Sequence, residues 1–149
     1  MAVERTLVLC KPDAVQRGLT GSVIGRFERK GLKLVGLKML RVGEDLAGRH
    51  YAEHLEKVFY SALRDFITSS PIVAMAIEGE NAVDVVRGLI GATNPQAAAA
   101  GTIRGDFGLD LTMNLVHGSD SLSSAERELA LFFTHSDAYD YELTMKVWT

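Results

Sequence analysis

The sequence is nearly empty of cysteine: Cys10 is the only one in 149 residues. That excludes an internal disulfide and any metal cluster built on cysteines. Because Cys10 falls in a β-branched and leucine-rich run, it reads as a small buried hydrophobe with a reduced thiol. A surplus of positive charge is missing too. Sixteen basic residues stand against nineteen acidic ones, a formal charge of -3, so no basic stripe for nucleic acid is expected and any anion site must be local. No apolar run approaches the length that crosses a bilayer. Glu4 and Arg5 stand where a signal peptide would carry its apolar stretch. These absences lead to the expectation of a reducing, cytoplasmic setting with no membrane partner. Neither G-x-x-x-x-G-K-[ST] nor G-x-G-x-x-G occurs, so the two common glycine cradles for nucleotide phosphates are excluded.

What is present is an average globular composition, with 47% hydrophobic and 23% charged residues. A chain of this length is expected to form one domain, residues 1–149, and to bury ~68–70% of its unfolded surface. Arg5 to Lys11 alternates as a first strand that Pro12 stops. Thr20 is placed to cap a helix with Val23, Ile24 and Phe27 on one face, closed by Gly31. Leu32 to Arg41 reads as a second strand, Leu46 to Leu55 and Val58 to Ile67 as two amphipathic helices, and Pro71 to Glu78 as a third strand. Asn81 caps a helix carrying Val83, Val86 and Ile90. Ala92 to Met113 lacks regular periodicity, and so long a loop in a compact domain is usually functional. Asn114 to His117 reads as a fourth strand. Ser123 and Glu126 make a capping box for a last helix to about Phe133, and Thr134 to Thr149 has no firm pattern. This order predicts an α/β (α+β) fold: a ferredoxin-like βαββαβ sandwich with a mostly antiparallel four-stranded sheet, helices on one face and an inserted helical pair.

Several residues could carry chemistry. His117 ends a short apolar run and precedes Gly118-Ser119-Asp120-Ser121. An imidazole with one nitrogen held by a fixed acceptor offers the other as a nucleophile near neutral pH; Glu126 and Glu128, on the following helix, are the carboxylates near enough in sequence. A histidine satisfied by the local serines is the competing reading. In Gly101-Thr102-Ile103-Arg104-Gly105-Asp106, two glycines allow backbone N–H groups to face an anion and Arg104 adds a forked cation. Many surface turns share that pattern without a ligand. His50-Tyr51-Ala52-Glu53-His54 spells H-x-x-E-H, a zinc-protease pattern. Such a protease also needs a third ligand and a cleft from a larger helical domain, so an amphipathic helix is the default. Lys11 ends a strand at a Lys-Pro-Asp turn, Arg87 sits on a helix, and Phe59 and Tyr60 are as suited to a core as to stacking on a base.

Taken together, the segments resemble the nucleoside diphosphate kinase family from Arg5 to about Phe133. The residues that carry this are Asn114-Leu115-Val116-His117-Gly118-Ser119-Asp120-Ser121, Lys11-Pro12-Asp13-Ala14-Val15-Gln16-Arg17-Gly18, Thr93-Asn94-Pro95 and Gly101-Thr102-Ile103-Arg104-Gly105-Asp106-Phe107. The resemblance implies a ping-pong reaction in which His117 takes a phosphoryl group from a nucleoside triphosphate and passes it to a diphosphate. It makes the long loop a phosphate-binding one. It implies Mg2+ carried by the nucleotide's phosphates, with few or no protein ligands. By matching positions, Glu128 would hold the non-reacting nitrogen of His117, and Lys11 would meet the transferring phosphate and the ribose, with Tyr51 nearby. Arg87, Thr93 and Arg104 would grip the diphosphate, Asn114 would bond the ribose, and Phe59 would stack on the base with Leu63 and Leu111 beside it. Stacking on a π-face common to all bases would make the enzyme tolerant of base identity.

The sequence departs from the family's pattern at Val58 and Ala100, where proline is frequent. Losing proline frees roughly 0.4–1 kcal/mol of backbone entropy per site, so looser loops are expected there. Phe132 stands where Trp is common. The resemblance also implies a homo-oligomer, hexamer or tetramer, with the tail 134–149 available for assembly contacts. A catalytically retired binding module of the same fold and a zinc hydrolase are the rival functions.

Overall fold

The computed structural model describes residues 2–149. The first strand, β1 (Val3–Cys10), lies at the centre of a four-stranded sheet of order β2-β3-β1-β4 with every neighbour antiparallel. β2 is Lys33–Leu40, β3 is Ile72–Glu80 and β4 is Val116–Gly118. This is the ferredoxin-like arrangement that the element order predicts. In register, Leu9 faces Ala74 on one side and His117 on the other. A central strand therefore holds the short strand that bears the histidine.

Helices cover both faces of the sheet, not one. Along β1, Val8 and Cys10 pack with Val23, Phe27, Met75, Val86 and Ile90. Leu7 and Leu9 pack oppositely, with Ala47, Ile67 and Phe132. Since successive strand residues point to opposite faces, a strand buried on both sides must be apolar at every position, as β1 is from Leu7 onward. α2 (Thr20–Lys30) and α5 (Ala82–Ile90) line the first face; α3 (Glu44–His50), α4 (Tyr60–Ile67) and α7 (Leu122–Phe132) line the second. Fully burying a Leu or Phe side chain stabilises by about 1.5–3 kcal/mol, so both layers contribute to holding β1.

Element ends show where local patterns were overruled. Pro12 starts a short helix, α1 (Pro12–Gln16), directly after β1, as suits a residue that has no N–H to leave unpaired. Thr20 lies inside α2, after Leu19, and makes no capping bond, whereas Gly31 closes the helix at φ 102°. Asn81 precedes α5 at φ 53° without a side-chain cap; the Glu4 carboxylate, reaching from β1, accepts the Val83 N–H at 3.1 Å instead. Ser121, not Ser123, caps α7 by accepting from Ser124 N–H at 3.1 Å. The first amphipathic helix stops at His50 and a 3-10 turn, Ala52–His54, follows. The long loop contains one further short helix, α6 (Ile103–Phe107), capped by Thr102, which accepts the Gly105 N–H at 3.0 Å.

Candidate active site

His117 projects from β4 with 27% of its side chain exposed, and its Nε2 lies 2.7 Å from Glu128 Oε1. Glu128 comes from α7 and is buried. Burial works against its charge, but the hydrogen bond and charge of His117, the charge of His50 and the Ser119 hydroxyl together hold its pKa below the usual carboxylate range. An ionised carboxylate only accepts, so Nε2 carries the ring proton and Nδ1 keeps the lone pair. Ser119 Oγ donates to the same Oε1 at 2.9 Å, and Arg127 Nη2 stands 3.6 Å from Oε2. Glu128 is thereby the partner of His117. Glu126, the other carboxylate considered, is exposed.

Cations gather around the start of β4. Lys11 Nζ donates to Asn114 Oδ1 at 2.6 Å and to the Thr112 carbonyl at 3.2 Å. Asn114 Nδ2 donates to the Thr93 carbonyl at 3.1 Å. Burial lowers the Lys11 ammonium to about 8, with Asp13 opposing and Arg104 reinforcing. Arg104 is buried and donates to the carbonyls of Asn114, Gly91 and Val116 at 3.1, 3.3 and 2.7 Å. Burial, and then the charge of Arg87, lower its pKa to about 10. Arg87 itself donates to the Gly118 carbonyl at 3.3 Å. Two desolvated cations, Lys11 and Arg104, with the exposed Arg87 beside them, next to the free imidazole nitrogen suit a polyphosphate.

The backbone that holds this patch is strained. Leu115 is buried at φ 75°, and Val116 N–H bonds back to the Asn114 carbonyl at 2.9 Å. This is a classic γ-turn, a rare conformation for a branched residue. It persists because its neighbours over-determine it. Asp13 accepts the Leu115 N–H at 2.9 Å and the Lys11 N–H donates to the Leu115 carbonyl at 2.9 Å. Asp13, Ser119 and Leu115 act here although none stood out as functional in the sequence. The Lys-Pro-Asp turn was the one available signal for Asp13.

His50, at the end of α3, stands edge-on to His117, ring centroids 4.6 Å apart. It is not paired across a helical turn with His54, so the H-x-x-E-H helix of the sequence reading does not form. Tyr51 lies beside His50 at 4.7 Å between centroids; burial, then the charge of Glu128, push its phenol up to about 12. Phe59 is half exposed, with the His54 ring 5.5 Å away and Lys57 Nζ 5.5 Å from its centroid. Leu111 is exposed and Leu63 is half-buried. The structure thus draws Lys11, Thr93, Arg87, Arg104, Asn114, His117, Glu128 and Tyr51 into one neighbourhood, and Phe59 is linked to it through the His54 ring, whose centroid lies 5.5 Å from that of Phe59 and 6.3 Å from that of Tyr51.

The nucleoside diphosphate kinase family model matches residues 4–138. The nucleoside diphosphate kinase of Archaeoglobus fulgidus is 60% identical over 98% of this chain and 97% of its own length. That of Staphylococcus epidermidis is 56% identical over 98% of each. Among solved structures, a nucleoside diphosphate kinase from Halobacterium salinarum in complex with CDP superposes with a TM-score of 0.96 at 52% identity, covering 99% of this chain and 98% of that one. A Babesia bovis family member gives 0.95 at 46%, covering 97% and 98%. The chain belongs to the nucleoside diphosphate kinase family of phosphotransferases.

Proposed function

We propose that the chain moves the terminal phosphate of a nucleoside triphosphate to a nucleoside diphosphate in two half-reactions, with His117 as the carrier. The observation behind this reading is the 2.7 Å contact of Nε2 with Glu128, which keeps the Nδ1 lone pair available. In the first half-reaction that lone pair bonds to the γ-phosphorus as the bond from phosphorus to the β,γ-bridging oxygen breaks. The electron pair leaves with the diphosphate. Glu128 balances the charge that develops on the ring, and no proton has to be transferred. The second half-reaction is the same step reversed onto another diphosphate.

Catalysis of such a loose transfer is positioning and charge stabilisation. Lys11 meets the transferring phosphate and, with Asn114, the ribose; Tyr51 lies close to the same phosphate. Arg87, Thr93 and Arg104 hold the other phosphates, and Phe59 stacks on the base with Leu63 and Leu111 alongside. The CDP bound to the Halobacterium relative supports a nucleotide in this cleft. Glu128 and Asp13 already accept hydrogen bonds and offer too few oxygens for the octahedral shell of Mg2+. Mg2+ therefore belongs to the substrate, where it neutralises the polyphosphate. The chain works in the cytoplasm as one domain, in a homo-oligomer.

Incubation with γ-labelled ATP tests the carrier. Wild type should acquire an acid-labile, base-stable label that chases onto added nucleoside diphosphate, and His117→Ala should acquire none. Wild type that turns over without labelling, or a variant that labels equally, would falsify the assignment.

A further inference from the structure

The H-x-x-E-H pattern does not assemble a metal site, yet its first histidine meets different donors through the tertiary fold. One ligand atom each from His50, His117 and Glu128 lie within 4.8 Å of one another. His50 is 4% exposed, and neither of its ring nitrogens has a hydrogen-bond partner among the described residues. Buried polar groups are almost always satisfied, and one that is not calls for an explanation such as an ion. The ring is fixed by Phe132, edge-on at 5.4 Å, as well as by His117. We infer that His50, His117 and Glu128 form an inhibitory site for a transition-metal cation of the zinc class, which captures the enzyme in its unphosphorylated state.

The donor set fits that chemistry. Two imidazoles and one carboxylate with an open fourth position is a known zinc arrangement, whereas Mg2+ and Ca2+ take oxygen-rich shells. Ligation requires a neutral imidazole. Neither His50 nitrogen makes a hydrogen bond among the described residues that a metal would have to displace. The partly exposed His117 provides the way in. The nearby cations oppose a metal ion; Arg87 and Arg104 donate to backbone carbonyls and Lys11 to Asn114, while Arg127, with Nη1 on the Arg49 carbonyl, keeps Nη2 3.6 Å from Glu128 Oε2 and would have to release it.

Inhibition follows from proton bookkeeping on one ring. A metal on His117 Nε2 displaces that proton to Nδ1 and removes the lone pair that attacks phosphorus. A metal on Nδ1 occupies the lone pair directly. Both outcomes silence the nucleophile. Inhibition thus rests on the proposed role of His117, but binding does not, and the two can be read separately.

Binding is measured on the nucleotide-free enzyme with Co2+, whose four-coordinate complexes absorb strongly in the visible, followed by displacement with Zn2+. Wild type should take up one equivalent per chain. His50→Phe keeps a ring in the same packing and removes both nitrogens, and its affinity should fall by more than the roughly 10–100-fold that losing an outer-shell partner costs. Glu128→Gln, a second variant that preserves volume, should also weaken uptake. His54→Ala should leave it unchanged. With limiting nucleotide, Zn2+ should slow phosphate labelling of wild type but not of His50→Phe, each compared with its own metal-free rate. No Co2+ uptake, uptake indifferent to His50→Phe, or uptake lost in His54→Ala would each overturn the site.

Discussion

At the residue scale, three ionisable side chains make pH a sensitive probe. Lys11 is charged below about 8 and neutral above it, because burial disfavours the ammonium more than Asp13 restores it. If its charge recruits phosphate, kcat/KM, which reports the free enzyme, should decline as pH rises through about 8. Lys11→Arg should lose that limb, since a guanidinium stays charged. Glu128→Gln keeps the volume of the buried carboxyl but not its charge. It should lower kcat on the order of 10²-fold with little change in nucleotide affinity, and unaltered turnover would redirect attention to Glu126. His50 acts on stability. Its native pKa of about 3 lies below the ordinary 6.5, so between those values the unfolded chain binds a proton that the native chain refuses. Stability therefore falls as pH drops below 6.5, by at most about 1.4 kcal/mol per pH unit. The depressed carboxyls of Glu128 and Glu78 add to the loss at lower pH, as each is protonated. Urea midpoints across this range should show the slope, and His50→Phe should flatten it.

At the scale of elements, the loop after α5 is held by its neighbours as well as by its own hydrogen bonds. Arg26 of α2 donates to the Gly101 carbonyl at 2.9 Å and to Asp106 at 2.6 Å, and its guanidinium lies 4.9 Å from the Phe107 ring centroid. Asp106 also accepts the Gly101 N–H at 2.8 Å, and Arg17 reaches the Phe107 carbonyl at 2.7 Å. Within α6, a Cβ on Gly105 would lie 2.0 Å from the Ala99 carbonyl oxygen, a backbone atom that cannot turn away. Gly105→Ala should therefore cost about 1–3 kcal/mol in unfolding free energy and raise KM for nucleotides, because the same turn presents Arg104. Wild-type stability and KM in that variant would show that the loop relaxes freely.

At the scale of the whole molecule, the tail beyond α7 lies along β2. Tyr139 N–H donates to the Val35 carbonyl at 2.8 Å, the Tyr141 hydroxyl to the Leu34 carbonyl, and Lys38 pairs with Asp137 at 3.2 Å. Part of the sheet edge is covered, which limits unwanted strand pairing. Leu37 and Met39 on β2, with Met145, Val147 and Trp148 on the tail, stay exposed. Exposed apolar side chains of that kind are suited to self-association. Sedimentation should return a tetramer or hexamer of the 16.2 kDa chain, and a monomer would count against the oligomeric reading.

Much of the molecule was legible in the order of residues. Strands and helices announced themselves because burial imposes a period that side chains must follow. Pro12 and Gly31 mark boundaries because their backbone chemistry is local, and the run around His117 carries the resemblance from which its role is proposed. Other features depend on residues distant in sequence. Helices on both faces of the sheet, the Glu4 cap on α5, the choice of Glu128 over Glu126, and the meeting of His50 with His117 all require knowing which elements pack together. Local patterns even misdirect there: Asn81 and Ser123 look like caps, and His50 looks like a partner of His54. Sequence alone determined the main elements and the candidate nucleophile, since periodicity, turn chemistry and functional-group identity are properties of neighbours along the chain. Only the tertiary structure decided which nitrogen of His117 is free, because a tautomer is set by the acceptor that folding brings within hydrogen-bonding distance.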